Sequence, residues 1–197
     1  MRLRSFVLIG ILPVAFVLLY GCALKPVITE NILNTPEHHV RSGIKFLELG
    51  KYSEALREFE LAKVLAPTYS KAYVGSAFVW SNKGNCKKGI EEIRKAQTLA
   101  RTDEELAFAH VGLIRLYLTD KGTDFKNWFA EVESAYREAI KLFPDSSEAH
   151  YYMGKIYQEA SEFTIATGLF KSVIEINKTH VDEARQELDF IKVIQGK

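Results

Sequence analysis

Apolar and polar positions follow three rhythms along the chain. From Ser5 to Tyr20 there is no charge, and Phe6, Val7, Leu8, Ile9, Ile11, Leu12 and the stretch from Val14 to Leu19 form a nearly unbroken apolar run of about sixteen residues. That is short of the roughly 20 residues a helix needs to cross a bilayer, and Pro13 interrupts it. Arg2 and Arg4 precede the run without an acid, a signal-peptide layout that keeps the arginines inside and sends the rest of the chain away from the cytoplasm. The next segment, ALKPVITENILNTP from Ala23 to Pro36, has prolines near both ends and no sustained helical period, so it reads as a tether. Fully extended it spans at most roughly 45 Å.

Beyond Pro36 the pattern repeats. Gly43 and Ala77, Phe46 and Trp80, Gly50 and Gly84, Phe59 and Ile93, and Ala62 and Ala96 are each 34 residues apart. Small residues at such an interval let paired antiparallel helices approach closely, and the aromatic residues fill the space between successive pairs. Pro67 and Pro144 mark the ends of second helices. They lie 77 residues apart, two periods plus nine, so one intervening unit carries extra residues. These fall in Thr119 to Asn127, TDKGTDFKN, which is polar and contains glycine as an inter-helix loop should. Gly112 is expected to open that third unit, with Tyr136, Ala139 and Pro144 closing it. Gly154, Tyr157, Phe163, Ala166 and Phe170 mark a fourth. Val181, Ala184, Leu188 and Ile191 then recur at helical spacing and predict a terminal amphipathic helix. Each unit alone leaves an apolar face uncovered, so at least three must stack.

The first unit, with Gly43, Phe46, Gly50, Tyr52, Ala55, Phe59, Ala62 and Pro67, resembles the tetratricopeptide-repeat signature at every position except the early tryptophan, where His39 stands. The second keeps Ala77, Trp80, Gly84 and Ala96 but has Arg101 for the terminal proline and Gly89 where alanine is usual. The resemblance implies an all-α, right-handed superhelix of about four helix hairpins. Their spans would be about 36–69, 70–103, 105–146 with the insertion and 147–180, closed by a capping helix over 181–195.

It also implies that a partner protein lies along a concave face lined by the first helices. Carried over unit by unit, that lining is Val40, Arg41, Ile44 and Glu48, then Lys71, Val74, Phe78 and Asn82, then Ala109, His110 and Leu113, then Tyr151, Tyr152, Lys155 and Glu159. Some chaperone-binding relatives clamp a peptide carboxylate with lysine and asparagine; Val40 and Ile44 hold the first-repeat clamp positions here, so that mode is not expected. The expected occupant is an apolar or amphipathic segment anchored on Phe78, Tyr151 and Tyr152. In the alternative, much of this surface packs against the tether or the terminal helix.

Leu19-Tyr20-Gly21-Cys22 resembles the bacterial lipoprotein signal, with Tyr20 where a smaller residue is usual. The resemblance implies cleavage after residue 21, a diacylglycerol on the Cys22 thiol and a membrane anchor, and Ala23 favours the outer over the inner membrane. An uncleaved signal anchor is the alternative.

Composition narrows the chemistry. With 47% apolar residues the chain can build a packed core, and 26 basic against 25 acidic residues announce no phosphate-binding surface, so nucleic acid is not an expected partner. Two cysteines supply neither a disulfide framework nor a zinc site, and Cys86 is expected to be a packed, inert thiol. His38 and His39 point about 100° apart on a helix and cannot share a metal from one face. His110, His150 and His180 stand singly. The carboxylates of Glu58, Glu60, Glu91, Glu92 and Asp103 to Glu105 read as solvated helix faces, and no nucleophile with an adjacent base is visible. The expectation is therefore a membrane-anchored scaffold of the bacterial cell envelope that assembles a protein complex, without catalysis, cofactor, metal or small-molecule substrate. The alternative is an accessory subunit that recruits an exported enzyme or transporter.

Overall fold

The computed structural model describes residues 34–119 and 125–196, so the expected leader, Cys22 and nearly all of the tether lie outside the described residues. Among the described residues the regular structure is entirely helical. The helices are α1 (Pro36–Glu48), α2 (Tyr52–Leu65), α3 (Ser70–Asn82), α4 (Cys86–Leu99), α5 (Asp103–Thr119), α6 (Phe125–Leu142), α7 (Ser147–Glu159), α8 (Phe163–Ile176) and α9 (Val181–Ile194). None of them is long and apolar enough to cross a membrane.

Local chemistry sets the helix starts. The Thr35 hydroxyl accepts from the His38 N–H with Pro36 opening α1, Asn85 caps α4 through the Lys88 N–H, and Ser146 caps α7 through the Ala149 N–H. The turn within each of the first two hairpins needs a left-handed residue, supplied by Gly50 (φ 68°) and Gly84 (φ 76°); in the fourth hairpin Ser161 takes that conformation at φ 65°.

Each odd-numbered helix packs antiparallel on the next even one, and each even helix packs on the following odd helix. The odd helices also touch one another in succession, α1 to α3 to α5 to α7. Two layers result, with α1, α3, α5 and α7 inside and α2, α4, α6 and α8 outside.

Packing explains the small residues. A Cβ on Gly43 would lie 2.7 Å from the fully buried Phe59 ring, and one on Gly154 would lie 2.8 Å from Phe170. Between repeats, alanine faces alanine: Ala62 shares a buried cluster with Ala72, Ala96 with Ala109, and Ala139 with Ala149.

One expectation needs correction, and one helix needs a closer description. Helix α6 begins at Phe125, inside the stretch read as loop. The terminal helix α9 closes the array with Ala184 and Ile191 against α8, but its outward face is not polar throughout: Phe190, Val193 and Ile194 are 53%, 78% and 50% exposed.

Candidate functional site: a groove on the inner helix layer

The inner layer holds a concave cavity of about 620 Å³. Helix α1 contributes Glu37, Val40, Arg41, Ile44, Leu47 and Glu48; α3 contributes Lys71, Val74, Gly75, Phe78 and Asn82. Phe108 and Arg115 come from α5, Glu148 from α7, Tyr69 from the loop before α3, and Phe59 of α2 lies under the floor. The absence of a side chain at Gly75 lets the Phe59 ring pack against the floor. A Cβ there would stand 2.1 Å from Phe59.

The lining alternates in charge. Lys71 Nζ is 3.5 Å from Glu104 and 5.8 Å from the centre of the Phe108 ring. The Arg115 guanidinium lies 4.5 Å from the centre of the Phe78 ring and 5.7 Å from that of Tyr152. Burial pushes the Tyr152 hydroxyl above its ordinary value, and the nearby Arg115 charge opposes the shift. Tyr69 is raised in the same way by burial and by the carboxylates of Glu37 and Glu105, against Arg41.

Of the residues expected to line the groove, Val40, Arg41, Ile44, Lys71, Val74 and Phe78 do so, as do Glu48 and Asn82. The others, apart from Tyr152, do not line it. Leu113 is 3% exposed within the main core cluster, and Ala109 is fully buried there. His110 is turned to the outer layer, where its Nδ1 accepts from the Gln97 side chain of α4 at 3.2 Å. Tyr151 is held by the terminal segment: its ring stacks on His180 at 4.4 Å between centroids and abuts Phe170, and burial with the Glu187 and Glu183 carboxylates pushes its hydroxyl up to about 12. Lys155 pairs with Glu187 of α9 at 2.6 Å, and Glu187 also accepts from Gln158. Tyr152 reaches the groove only as the far wall behind Arg115.

The misplacement in the third repeat is one of register. Gly75 and Gly112 do the same work, since a Cβ on the first would strike Phe59 and one on the second would strike Val74 and Ile93 of the preceding repeat. They are 37 residues apart, three more than the period, so α5 is displaced relative to the 34-residue count. Phe108 and Arg115 therefore correspond to Lys71 and Phe78, and Arg115 stands where Leu113 was expected. Glycines packing against a preceding repeat were the signal that could have exposed this.

The same register unifies His39, Tyr73, His110 and His150, which all stand at the early-tryptophan position. His39 Nδ1 lies 2.7 Å from Glu58 Oε2; Tyr73 donates to the Pro67 carbonyl at 2.7 Å; His150 Nε2 donates to the Pro144 carbonyl at 3.2 Å while its Nδ1 accepts from Tyr136. Burial alone would raise the Glu58 carboxyl, but hydrogen bonds from His39 and Arg57 hold it below its ordinary value. These side chains tie helices to neighbouring helices and loops. Cys86 is half-buried against the core close to Tyr117. Among the described residues no group of three or more His, Cys, Asp or Glu could hold a metal ion.

Comparison with known proteins agrees with this architecture. No protein-family model matches the chain. Human tetratricopeptide repeat protein 6 is 27% identical over 128 residues, covering 65% of this chain but only 23% of its own length. The Pseudomonas aeruginosa pilF structure superposes with a TM-score of 0.64 at 18% identity, covering 81% of this chain and 68% of that one. A tetratricopeptide-repeat protein of Thermus thermophilus, TTC0263, gives 0.64 at 21% identity, with 82% and 83% covered. The fold is thus shared with these arrays.

Proposed function

We propose that this tetratricopeptide-repeat protein is a lipid-anchored scaffold of the bacterial cell envelope that holds an apolar or amphipathic segment of a partner protein in its groove, and so helps an envelope complex assemble. The observation that carries the reading is the groove itself. It is large enough for several side chains, it is built on rigid helices, and Ile44, Val74, Phe78 and Phe108 offer an apolar lining inside a charged rim. An extended or helical segment laid there buries its apolar side chains against these residues, with Phe78 near the middle. The lipid anchor rests on the resemblance of Leu19 to Cys22 to a lipoprotein signal: acyl chains on Cys22 would keep the groove close to the bilayer, since the tether is short.

The binding half is tested with Phe78→Glu. The expected outcome is a loss of at least tenfold in the partner recovered after crosslinking in intact membranes, at an unchanged helical circular-dichroism signal. Unchanged recovery from a folded variant rejects the groove. For the anchor, intact-mass measurement of the membrane-extracted chain is expected to show acylation that Cys22→Ser abolishes. A wild-type chain recovered with its first 21 residues attached and no acyl mass would refute that half alone.

A further inference from the structure

We infer that Arg115 makes the groove selective for a partner segment carrying an aspartate or glutamate side chain between apolar residues; the inference rests on the groove reading above and adds its charge preference. Ile44, Phe78, Arg115 and Lys155 occupy one position on the four inner helices. The first two are apolar. Lys155 is neutralised by Glu187 at 2.6 Å. Arg115 forms no ion pair among the described residues, and its contacts are the rings of Phe78 and Tyr152.

Two aromatic rings confine the guanidinium without consuming its N–H donors, which point outward in the guanidinium plane and match a carboxylate in two-pronged fashion. Arg41, on the opposite wall, also forms no ion pair among the described residues. The groove's acids stand toward the helix ends: Glu37 and Glu148 on first turns and Glu48 on the last residue of α1. A carboxylate entering the groove is thus repelled at the rims and attracted at the middle, which sets its register. The flanking apolar side chains then fall on the exposed Ile44 and the half-buried Phe108. A segment presenting lysine at the same point would meet a like charge held in place and would be rejected.

The test uses the full chain in detergent micelles as bait for a library of random sixteen-residue peptides, displayed with their carboxyl ends fused so that only side chains can supply a carboxylate. The expected winners carry an aspartate or glutamate flanked by aliphatic or aromatic residues. As synthetic peptides they should bind Arg115→Glu at least tenfold more weakly and Arg115→Lys by an intermediate amount. Replacing the peptide's acid by lysine should restore binding to Arg115→Glu. Winners without an acidic bias, binding Arg115→Glu as well as the native chain, overturn the inference while leaving the groove standing. Winners whose binding is also indifferent to Phe78→Glu remove both readings. A synthetic peptide of residues 23–33 that binds as tightly as the winners assigns the groove to this chain's own segment, and a dimer in sedimentation that Arg115→Glu dissolves assigns it to a second copy; either result overturns an acidic partner segment.

Discussion

The tightest constraint on a single residue is at Gly75. Because Phe59 is fully buried beneath it, the ring has nowhere to retreat from a Cβ at 2.1 Å. Gly75→Ala is expected to destabilise the chain by about 1–3 kcal/mol in urea unfolding, the usual penalty for overpacking. Gly168 is the opposite case: it lies mid-helix in α8, and a methyl group added there would meet nothing within 4 Å. Gly168→Ala should stabilise by about 0.5–1 kcal/mol through helix propensity and the restricted unfolded chain. Equal effects at the two sites would show that the packing described around Gly75 is wrong. The imidazoles make a second residue-scale prediction. Burial holds His110 and His150 below the ordinary 6.5, against Glu138 for the first and against the Pro144 carbonyl and Asp145 for the second. As pH falls past 6.5 the unfolded chain takes up these protons first, so their contribution to stability is present above 6.5 and is lost as pH drops through the folded values. A nitrogen-detected NMR titration should place both midpoints under 6.5, and the Tm should decline from pH 7 toward pH 5. A midpoint at or above 6.5 for either ring refutes its buried, neutral assignment.

Among the elements, α5 and α9 depart most from the repeat. Helix α5 has 17 residues against 13 in α1, α3 and α7, and its displacement by three positions brings Phe108 and Arg115 to the groove. Helix α9 behaves as a first helix without a second. It closes α8 through Ala184 and Ile191 and holds α7 through the Glu187 contacts, yet Phe190, Val193 and Ile194 have no helix over them among the described residues. Element-scale energetics follow from how few neighbours each helix has. Ile191 is 2% exposed, and Ile191→Ala should remove about 2–4 kcal/mol of local packing. Because α9 packs chiefly on α8, amide exchange is expected to accelerate in α8 and α9 while α3 keeps its protection. Uniform acceleration along the chain would contradict a docked end helix.

At the scale of the molecule, packing links each helix to the next and each inner helix to the next inner one. Stability is then a sum of hairpins and the interfaces between them, and a lesion in the middle severs more than one at the end. Ile114→Ala, at a fully buried position in α5, should lower the midpoint of global unfolding more than Ile191→Ala does, though both remove comparable side-chain volume. The check is urea unfolding followed by circular dichroism; a larger loss at Ile191 would mean that the array is held from its terminal cap. The same serial layout keeps the groove rigid, since its walls are four helices each braced on two sides, a suitable support for recognition with little ordering cost.

Much of this was legible in the sequence because packing of repeated helices is written locally. Gly43 with Phe59, Gly154 with Phe170, and the turn glycines Gly50 and Gly84 each answer a contact or dihedral that recurs at fixed spacing, so the hairpins could be read from residue types, and the resemblance to the repeat family then placed eight groove residues of the first two repeats. The direction of side chains in the third and fourth repeats was decided only in three dimensions. The expected register set Gly112 opposite Ala77, whereas Gly112 packs as Gly75 does; that difference of two residues turns the helix by about 200° and puts Arg115 where Leu113 was expected, and no pairwise spacing announces it once the period is broken. Tyr151 and Lys155 sit at groove positions in the count, but α9 folds back and takes their side chains for His180 and Glu187. Sequence periodicity determines which residues share a helix face; the packing of the next helix determines whether that face remains open.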